Sequence, residues 1–278
     1  MVDPVSASNA GAIRSHLSKK WLVRMVLIAV GLFAFGMWGL YDATIAYPRR
    51  GAAAASFAEF NYLTQLSPGS TGSIDNPTTE LERLVTASEK GPKRDWLEQL
   101  AYIGRLDPAH TKLPRTDAAS GQSIPDVLSR LESLSKDWTR SDGGQKKAPK
   151  PLSVWDIPTQ WLIMAIGVGL SLWMFTLVVI ARGKTYTWIA SERRLGLPNG
   201  ASLVPADIAE FDKRKWHKFF IHLNVKPEHP SLGGKEVALD LMRYEPVEEW
   251  VLEMERAANP APAEEPPAAD PADAPPAA

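Results

Sequence analysis

Cysteine is absent from this chain of 278 residues, and its charges nearly cancel, with a formal net charge of −1. The lack of cysteine excludes disulfides, thiolate metal sites and cysteine nucleophiles, and it leaves the cellular compartment open. The balanced charge offers no global electrostatic attraction for nucleic acid, so we expect no nucleic-acid partner.

The motifs of metal and phosphate sites are also missing. The five histidines are His16, His110, His217, His222 and His229. His217 and His222 are five residues apart and would face opposite sides of a regular strand, and no His-Glu-x-x-His pattern occurs. Gly196 and Gly200 lack the spacing and the following long helix of a phosphate-binding loop.

Asp207, Glu210 and Asp212 are more typical of a solvated edge than of an acid–base pair. We therefore predict no catalytic residue, no cofactor, no metal and no enzyme activity. The sequence identifies no small-molecule substrate.

Two uncharged apolar segments determine the class of the protein. They cover residues 25–41 and 161–181, which are 17 and 21 residues long. A helix needs about 20 residues, with about 17 as the lower limit, to cross the hydrocarbon core of a bilayer. Aromatic and basic residues typical of membrane interfaces flank both: Trp21, Arg24, Tyr41, Tyr47, Trp155, Trp161, Arg182 and Lys184. We predict transmembrane helices over 21–45 and 157–182.

Each segment has an alternative interpretation. A buried core helix is one, but a soluble core does not need a 21-residue helix that is apolar on every face. A signal peptide is the alternative for the first segment. Its apolar run exceeds the roughly 7–15 residues of a typical signal, and residues 44–46 make a poor cleavage site.

The basic residues near the two segments predict the orientation. Eight lie on the outer flanks, namely Arg14, Lys19, Lys20, Arg24, Arg182, Lys184, Arg193 and Arg194. Five lie in the intervening segment, namely Arg49, Arg50, Lys146, Lys147 and Lys150. The positive-inside bias then favours both termini in the cytoplasm. Residues 1–20 are predicted to be a disordered cytoplasmic N-terminus.

Residues 46–156 show helical rather than alternating spacing, which predicts an extracytoplasmic region of three or four short helices. The apolar stripes are Phe57, Phe60, Leu63 and Leu66; Leu81, Leu84 and Val85; Trp96, Leu97, Leu100 and Ile103; and Val127, Leu128, Leu131, Leu134 and Trp138. Asn76-Pro77 predicts one helix start, with Asn as the N-cap.

Residues 183–257 instead predict a small antiparallel sheet followed by one helix. Asn199-Gly200 predicts a hairpin turn of type I′, and residues 211–225 favour extended chain. Pro246 begins an amphipathic helix that would cover the open end of the sheet. Residues 258–278, rich in Pro, Ala and acids, are predicted to be a disordered tail.

A basic run lies within the sheet region: Lys213, Arg214, Lys215 and Lys218. Near a cytoplasmic leaflet, each such charge adds about 1 kcal/mol of attraction to anionic lipid. The run is therefore a candidate contact with the membrane surface or with a partner. The alternative is a charged strand edge that prevents aggregation.

This order of elements resembles the bacterial pleckstrin-homology-like domains, through RRLGLPNGASLVP, AEFDKRKW, EVALDLMRY and EEWVLEMERA. The whole chain is similar to a group of uncharacterised two-span membrane proteins of planctomycete bacteria, with YPRR after the first span and Asp212-x-x-x-Trp216 after the hairpin. The resemblance implies an interaction module on a membrane anchor in the bacterial inner membrane, and no catalysis.

The expected fold class is thus an α+β membrane protein with two spans, a helical inter-span region and a small PH-like domain. The expected function is a non-enzymatic scaffold or assembly subunit, whose partners are the lipid bilayer and other membrane proteins or further copies of itself. The alternative is an accessory or sensory subunit in which the inter-span helices detect a signal.

Reporter fusions test the orientation. We expect a periplasm-active reporter to function when inserted at Gly143 and to fail when fused after Ala278, because the basic residues hold both termini inside. Activity of a cytoplasmic reporter at Gly143 would contradict the orientation and the sensory alternative together.

Overall fold

The computed structural model of the protein describes residues 11–67, 69–117 and 121–259. The chain divides into two compact units. One is Val30–Leu172, named here the loop unit. The other, the sheet unit, comprises residues 11–29 and 173–259 of the described chain.

The elements alternate between short strands and helices of very different length. In chain order they are β1 (Ile13–Arg14), β2 (His16–Leu17), α1 (Lys19–Tyr41), a π-helical turn (Asp42–Ala46), α2 (Tyr47–Thr64), α3 (Pro77–Thr86), α4 (Pro92–Tyr102), α5 (Pro108–Thr111), β3 (Arg115–Thr116), β4 (Ser123–Ile124), α6 (Val127–Trp138), α7 (Asp156–Gly183), β5 (Thr187–Ile189), β6 (Arg194–Gly196), β7 (Ser202–Leu203), β8 (Ile208–Asp212), β9 (Phe220–Val225), β10 (Glu236–Asp240), β11 (Tyr244–Glu245) and α8 (Val247–Ala258).

Two helices are long and apolar enough to cross a membrane, which confirms the coarse fold class of α+β with small antiparallel sheets. They are Lys19–Thr64, which is continuous through the π-helical turn, and Asp156–Gly183. In the most apolar 18-residue stretch of each helix, only 17% and 11%, respectively, is buried within the protein. The core helix of a soluble protein would be mostly buried.

The first long helix continues beyond residue 45, where the predicted transmembrane segment ends. Proline inside a helix lacks an N–H and its ring clashes with the carbonyl four residues earlier. Here Pro48 follows the π-helical turn, in which Tyr47 N–H donates to the carbonyl of Asp42, five residues back. This wider turn accommodates the proline, so the chain continues as helix to Thr64.

The core of the loop unit lies between α2 and α4 and confirms only part of the predicted stripes. Trp96, Leu97 and Leu100 of α4 are buried as expected. On α2, however, the buried face is made of Ala54, Ala55, Ala58 and Leu63, while Phe57 and Phe60 are half-buried. Small residues let the end of α4 approach: a Cβ on Gly51 would lie 2.4 Å from the side chain of Ile103, the residue directly after α4.

Within the loop unit, α1 and α7 approach closely through glycine. A Cβ on Gly167 would lie 2.7 Å from Cα of Gly36, and a Cβ on Gly39 would lie 2.9 Å from the carbonyl oxygen of Gln160. Small residues of this kind allow two helix backbones to pack closely.

The sheet unit contains two antiparallel sheets, with strand orders β1-β5-β6-β7 and β10-β9-β8, and a two-stranded pair of β11 with β2. Helix α8 buries Val247, Trp250, Val251 and Met254 against them. Trp250 stacks on Trp188 of β5 with ring centroids 6.0 Å apart. The predicted amphipathic helix is therefore present.

The predicted disorder of residues 1–20 is wrong from Ile13 onward, because β1 pairs with β5 and β2 pairs with β11. Ser15 N–H donates to the carbonyl of Tyr186 at 2.9 Å, and Ser15 Oγ accepts from Tyr186 N–H at 2.9 Å. These partners are remote in sequence, so local composition carries no sign of the pairing. Residues 1–10 and most of the predicted tail, 260–278, lie outside the described residues.

The glycine contact between α1 and α7 can be tested with a matched pair of variants. We expect Gly167→Val to destabilise the helix pair by about 1–3 kcal/mol, since the added atoms meet backbone. The control is Gly169→Val on the same helix, where a Cβ would meet nothing within 4 Å. Unfolding of the full chain in detergent gives the free energy of unfolding of both variants. An equal decrease in the two would contradict the close contact.

Candidate functional surface

The Asn199-Gly200 pair forms the predicted hairpin, between β6 and β7, but not as a type I′ turn. Gly200 N–H donates to Leu197 O at 3.0 Å, and Leu197 N–H donates to Ala201 O at 2.8 Å. Gly200 has φ of +84°, whereas Asn199 is not among the residues with positive φ. The loop is therefore a type I turn with Pro198 at its second position, followed by a left-handed glycine.

The titratable residues singled out from the sequence are dispersed. His217 lies in a 3₁₀ turn (Trp216–Lys218), His222 contacts Glu236, and His229 Nε2 lies 3.0 Å from the carbonyl of Ser202. Across the described ranges, no group of three or more His, Asp or Glu residues is placed to hold a metal ion.

Each of the three acids contacts a nearby group. Asp207 accepts from the N–H of Val204 at 2.9 Å, Glu210 from the side chain of Asn224 at 3.1 Å, and Asp212 from Arg214. The structure gives them structural roles within the sheet unit.

The basic run occupies the connection from β8 to β9, and its four members differ. Lys213 forms an ion pair with Glu255 of α8 and lies 5.4 Å from the ring centre of Trp216. Arg214 binds Asp212 through two nitrogens, at 2.9 and 2.7 Å, which holds the pKa of Asp212 well below its usual range. Lys215 and Lys218 are exposed, and no described carboxylate forms an ion pair with either.

This connection is a turn rather than the extended chain that the sequence predicted. Residues 208–212 and 220–225 are strands, but Lys213–Phe219 reverses direction through the 3₁₀ turn. Phe219 ends it in a left-handed conformation, φ 61° and ψ 29°. That conformation costs a residue with a side chain about 1–2 kcal/mol. Phe219 and Phe220 are nevertheless 51% and 38% exposed.

The turn lies at the end of the sheet unit where the two long helices enter it. Leu241 N–H donates to the carbonyl of Phe219 at 2.8 Å, and Phe220 pairs with Asp240. Two residues further, the carbonyl of Arg243 accepts from the N–H of Ser18, directly before α1, at 2.9 Å. We name this the helix-proximal end of the sheet unit.

Side chains at this end hold both helices. The guanidinium of Arg243 lies 5.0 Å from the ring centre of Trp21 on α1. Tyr244 donates its hydroxyl to the carbonyl of Ala181 on α7 at 3.2 Å. Burial raises the pKa of Tyr244, so the phenol keeps its proton and remains a donor. Trp21, Val178 and Ala181 are buried together beside these contacts.

A second polar site, which the sequence did not reveal, lies in the loop unit. Glu59 of α2 is 5% exposed at its side chain and lies between Arg115 and Arg130, which are 10% and 12% exposed. Arg130 donates to both carboxylate oxygens of Glu59, at 3.0 and 2.7 Å, and to Asp117 at 3.2 Å. Arg115 donates to Glu59 and to the carbonyl of His110.

The charges of this cluster stabilise one another. Burial opposes the charged form of Arg130, but its hydrogen bond with Glu59 and its attraction to Glu59 and Asp117 exceed that effect and raise its pKa. The cluster lines a cavity of about 680 Å³ together with Trp96 and Leu100. Its members come from α2, β3, α6 and a connection, so no short sequence motif could have identified it.

Comparison with known proteins adds no family to this description. No protein-family model, no curated protein and no solved structure matches the chain.

The Glu59 cluster gives a sharp stability prediction. We expect Glu59→Gln to cost about 3–5 kcal/mol, because it leaves two buried guanidinium groups with one carboxylate fewer. Glu132→Gln is the control, because Glu132 is 71% exposed and pairs with Lys136 at 2.9 Å. We expect it to lower the free energy of unfolding by at most about 1 kcal/mol. Denaturant unfolding of the full chain in detergent checks both, and similar costs would show that the buried cluster contributes little.

Proposed function

We propose that the protein is a non-enzymatic integral membrane protein that acts as a scaffold or assembly subunit through its sheet unit. In this proposal it lies in a bacterial inner membrane, with both termini in the cytoplasm. The two long apolar helices support the membrane location. Its partners are the bilayer and other membrane proteins or further copies of itself.

The observation that carries the proposal is the attachment of one folded unit to both helices. Ser18, Trp21 and Ala181, at the ends of α1 and α7, are bound by Arg243 and Tyr244 in consecutive positions of the sheet unit. A flexibly tethered domain would be free of its anchor. Here the module is held in one orientation at the helix ends, which is what presenting a fixed surface to a partner requires.

The finer assignment of the sheet unit is to a PH-like fold, and the order of elements supports it. Strands β5 to β10 belong to antiparallel sheets, β11 pairs with β2, and α8 follows them and packs on their apolar side. Among the described strands, β1 and β7 are the edges of one sheet, and β10 and β8 are the edges of the other. Such edges present backbone N–H and C=O groups to which a partner strand can add.

One observation favours the alternative, a sensory or accessory subunit. The cavity beside Glu59 lies in the predicted extracytoplasmic region and is lined by charged and aromatic side chains. A pocket that combines an apolar wall with a few convergent polar groups is the usual form of a ligand site.

Photo-crosslinking in living cells separates the two functions. A photoreactive side chain replaces either Ala238, exposed on edge strand β10, or Leu128, 77% exposed on α6. We expect crosslinks to a distinct protein, or to a second copy, from Ala238, because the sheet unit carries the contact surface.

Crosslinks from Leu128 alone would favour the sensory function. Recovery of the chain without a crosslinked partner from both positions would overturn the scaffold function.

A further inference from the structure

Three large apolar side chains are exposed at the helix-proximal end of the sheet unit. Phe219, Phe220 and Met242 are 51%, 38% and 37% exposed. Single exposed apolar residues are ordinary in soluble proteins, but three at the same end of the paired strands β9 and β10 favour a contact surface. With Lys215 and Lys218 of the same turn, they form what we name the aromatic–basic tip.

The conformation of Phe219 adds weight to its exposure. With φ at 61°, the position favours glycine or asparagine, which adopt the left-handed region at less cost. A phenylalanine that stays half-exposed here gains only part of the burial that would offset the strain. A contact of the phenyl ring outside the sheet unit would supply the rest.

The charge of the tip is positive and locally uncompensated among the described residues. Asp212 and Asp240, which end the strands β8 and β10 beside the tip, bind the guanidinium groups of Arg214 and Arg243. The two lysines of the tip have no ion pair with a described carboxylate. The tip thus combines apolar side chains with free ammonium groups, the composition of segments that bind the surface of an anionic membrane.

The tip is also placed at the level where the long helices leave their apolar sections. The carbonyl of Phe219 and the carbonyl of Arg243 are bonded, respectively, to Leu241 and to Ser18, the residue before α1. Arg243 contacts Trp21, four residues before the first charge-free segment begins at Met25. Aromatic and basic residues at such a level lie among lipid headgroups.

We propose that the aromatic–basic tip rests in the headgroup region of the bilayer that α1 and α7 cross, with its aromatic rings among the upper acyl chains and its lysines on anionic lipid phosphates. This inference rests on the proposed membrane location. It makes the tip a third contact of the sheet unit with the membrane, besides the two helices.

The absence of cysteine allows single labels to be placed at will. The full chain is reconstituted in vesicles of phosphatidylcholine with or without phosphatidylglycerol, carrying one environment-sensitive fluorophore at Met242→Cys. The controls are Ser231→Cys, exposed at the opposite end of the β9–β10 pair, and Leu27→Cys, 66% exposed within α1. Spin-labelled lipids quench any fluorophore that they can reach.

We expect several-fold stronger quenching at position 242 than at 231, with a further increase when phosphatidylglycerol is present. Equal, weak quenching at 242 and 231 alongside strong quenching at 27 would overturn the tip contact and leave the membrane location intact. Weak quenching at 27 would instead overturn the membrane location itself.

Two further variants separate lipid contact from a structural role of the turn. Phe219→Gly relieves the backbone strain, so we expect unchanged or higher resistance to unfolding together with a loss of quenching at 242. Lys215→Gln with Lys218→Gln should abolish the effect of phosphatidylglycerol, while the exposed pair Lys226→Gln with Lys235→Gln should leave it unchanged. An equal effect of both lysine pairs would overturn the assignment of the phosphatidylglycerol contact to Lys215 and Lys218.

Other occupants of the tip give different results. A label at 242 that is shielded from both water and lipid would show that a protein covers the tip, and it would overturn the proposal. Quenching that appears only after truncation at Asn259 would show that residues 260–278 occupy the tip in the intact chain, with the same consequence.

Discussion

Antiparallel pairing between residues 13–17 and strands near the other end of the chain is the constraint on which the sheet unit depends. Ser15 and Tyr186, which exchange two hydrogen bonds, are 171 residues apart. The cost of closing so long a loop grows only slowly with its length, so a few backbone bonds and the burial of neighbouring side chains are enough. The pairing places Ser18, and with it the start of α1, against Arg243.

From that pairing the remaining contacts follow. Once α1 begins beside β11, Trp21 meets Arg243 and packs with Val178 and Ala181 of α7. The hydroxyl of Tyr244 then reaches the carbonyl of Ala181. Hydrogen bonds of buried groups contribute about 1 kcal/mol each, but several that share one location fix an orientation. Hydrogen bonds and side-chain packing therefore join the folded part of the sheet unit to both helices, in addition to the chain itself.

The sequence predicted those features whose causes are local. Pro77 begins a helix because proline suits the first helical position, and Asn199-Gly200 reverses the chain because Gly200 accepts a positive φ. The face of α2 was mispredicted because its core contacts are made by alanine, which a search for large apolar residues overlooks. Residues 213–219 were predicted to be extended because aromatic residues favour strands and no Gly, Pro or Asn marks the turn. The Glu59 cluster and the N-terminal strands could not be predicted, because their interaction partners are far apart in the sequence.

The continuity of the helix from Lys19 to Thr64 has a consequence for the loop unit. At 1.5 Å per residue, the part beyond Tyr41 extends for about 35 Å and carries Glu59 on its buried face. Within the loop unit, the glycine contact of α1 with α7 and the enclosure of Glu59 by Arg115 and Arg130 are therefore built on one uninterrupted backbone helix.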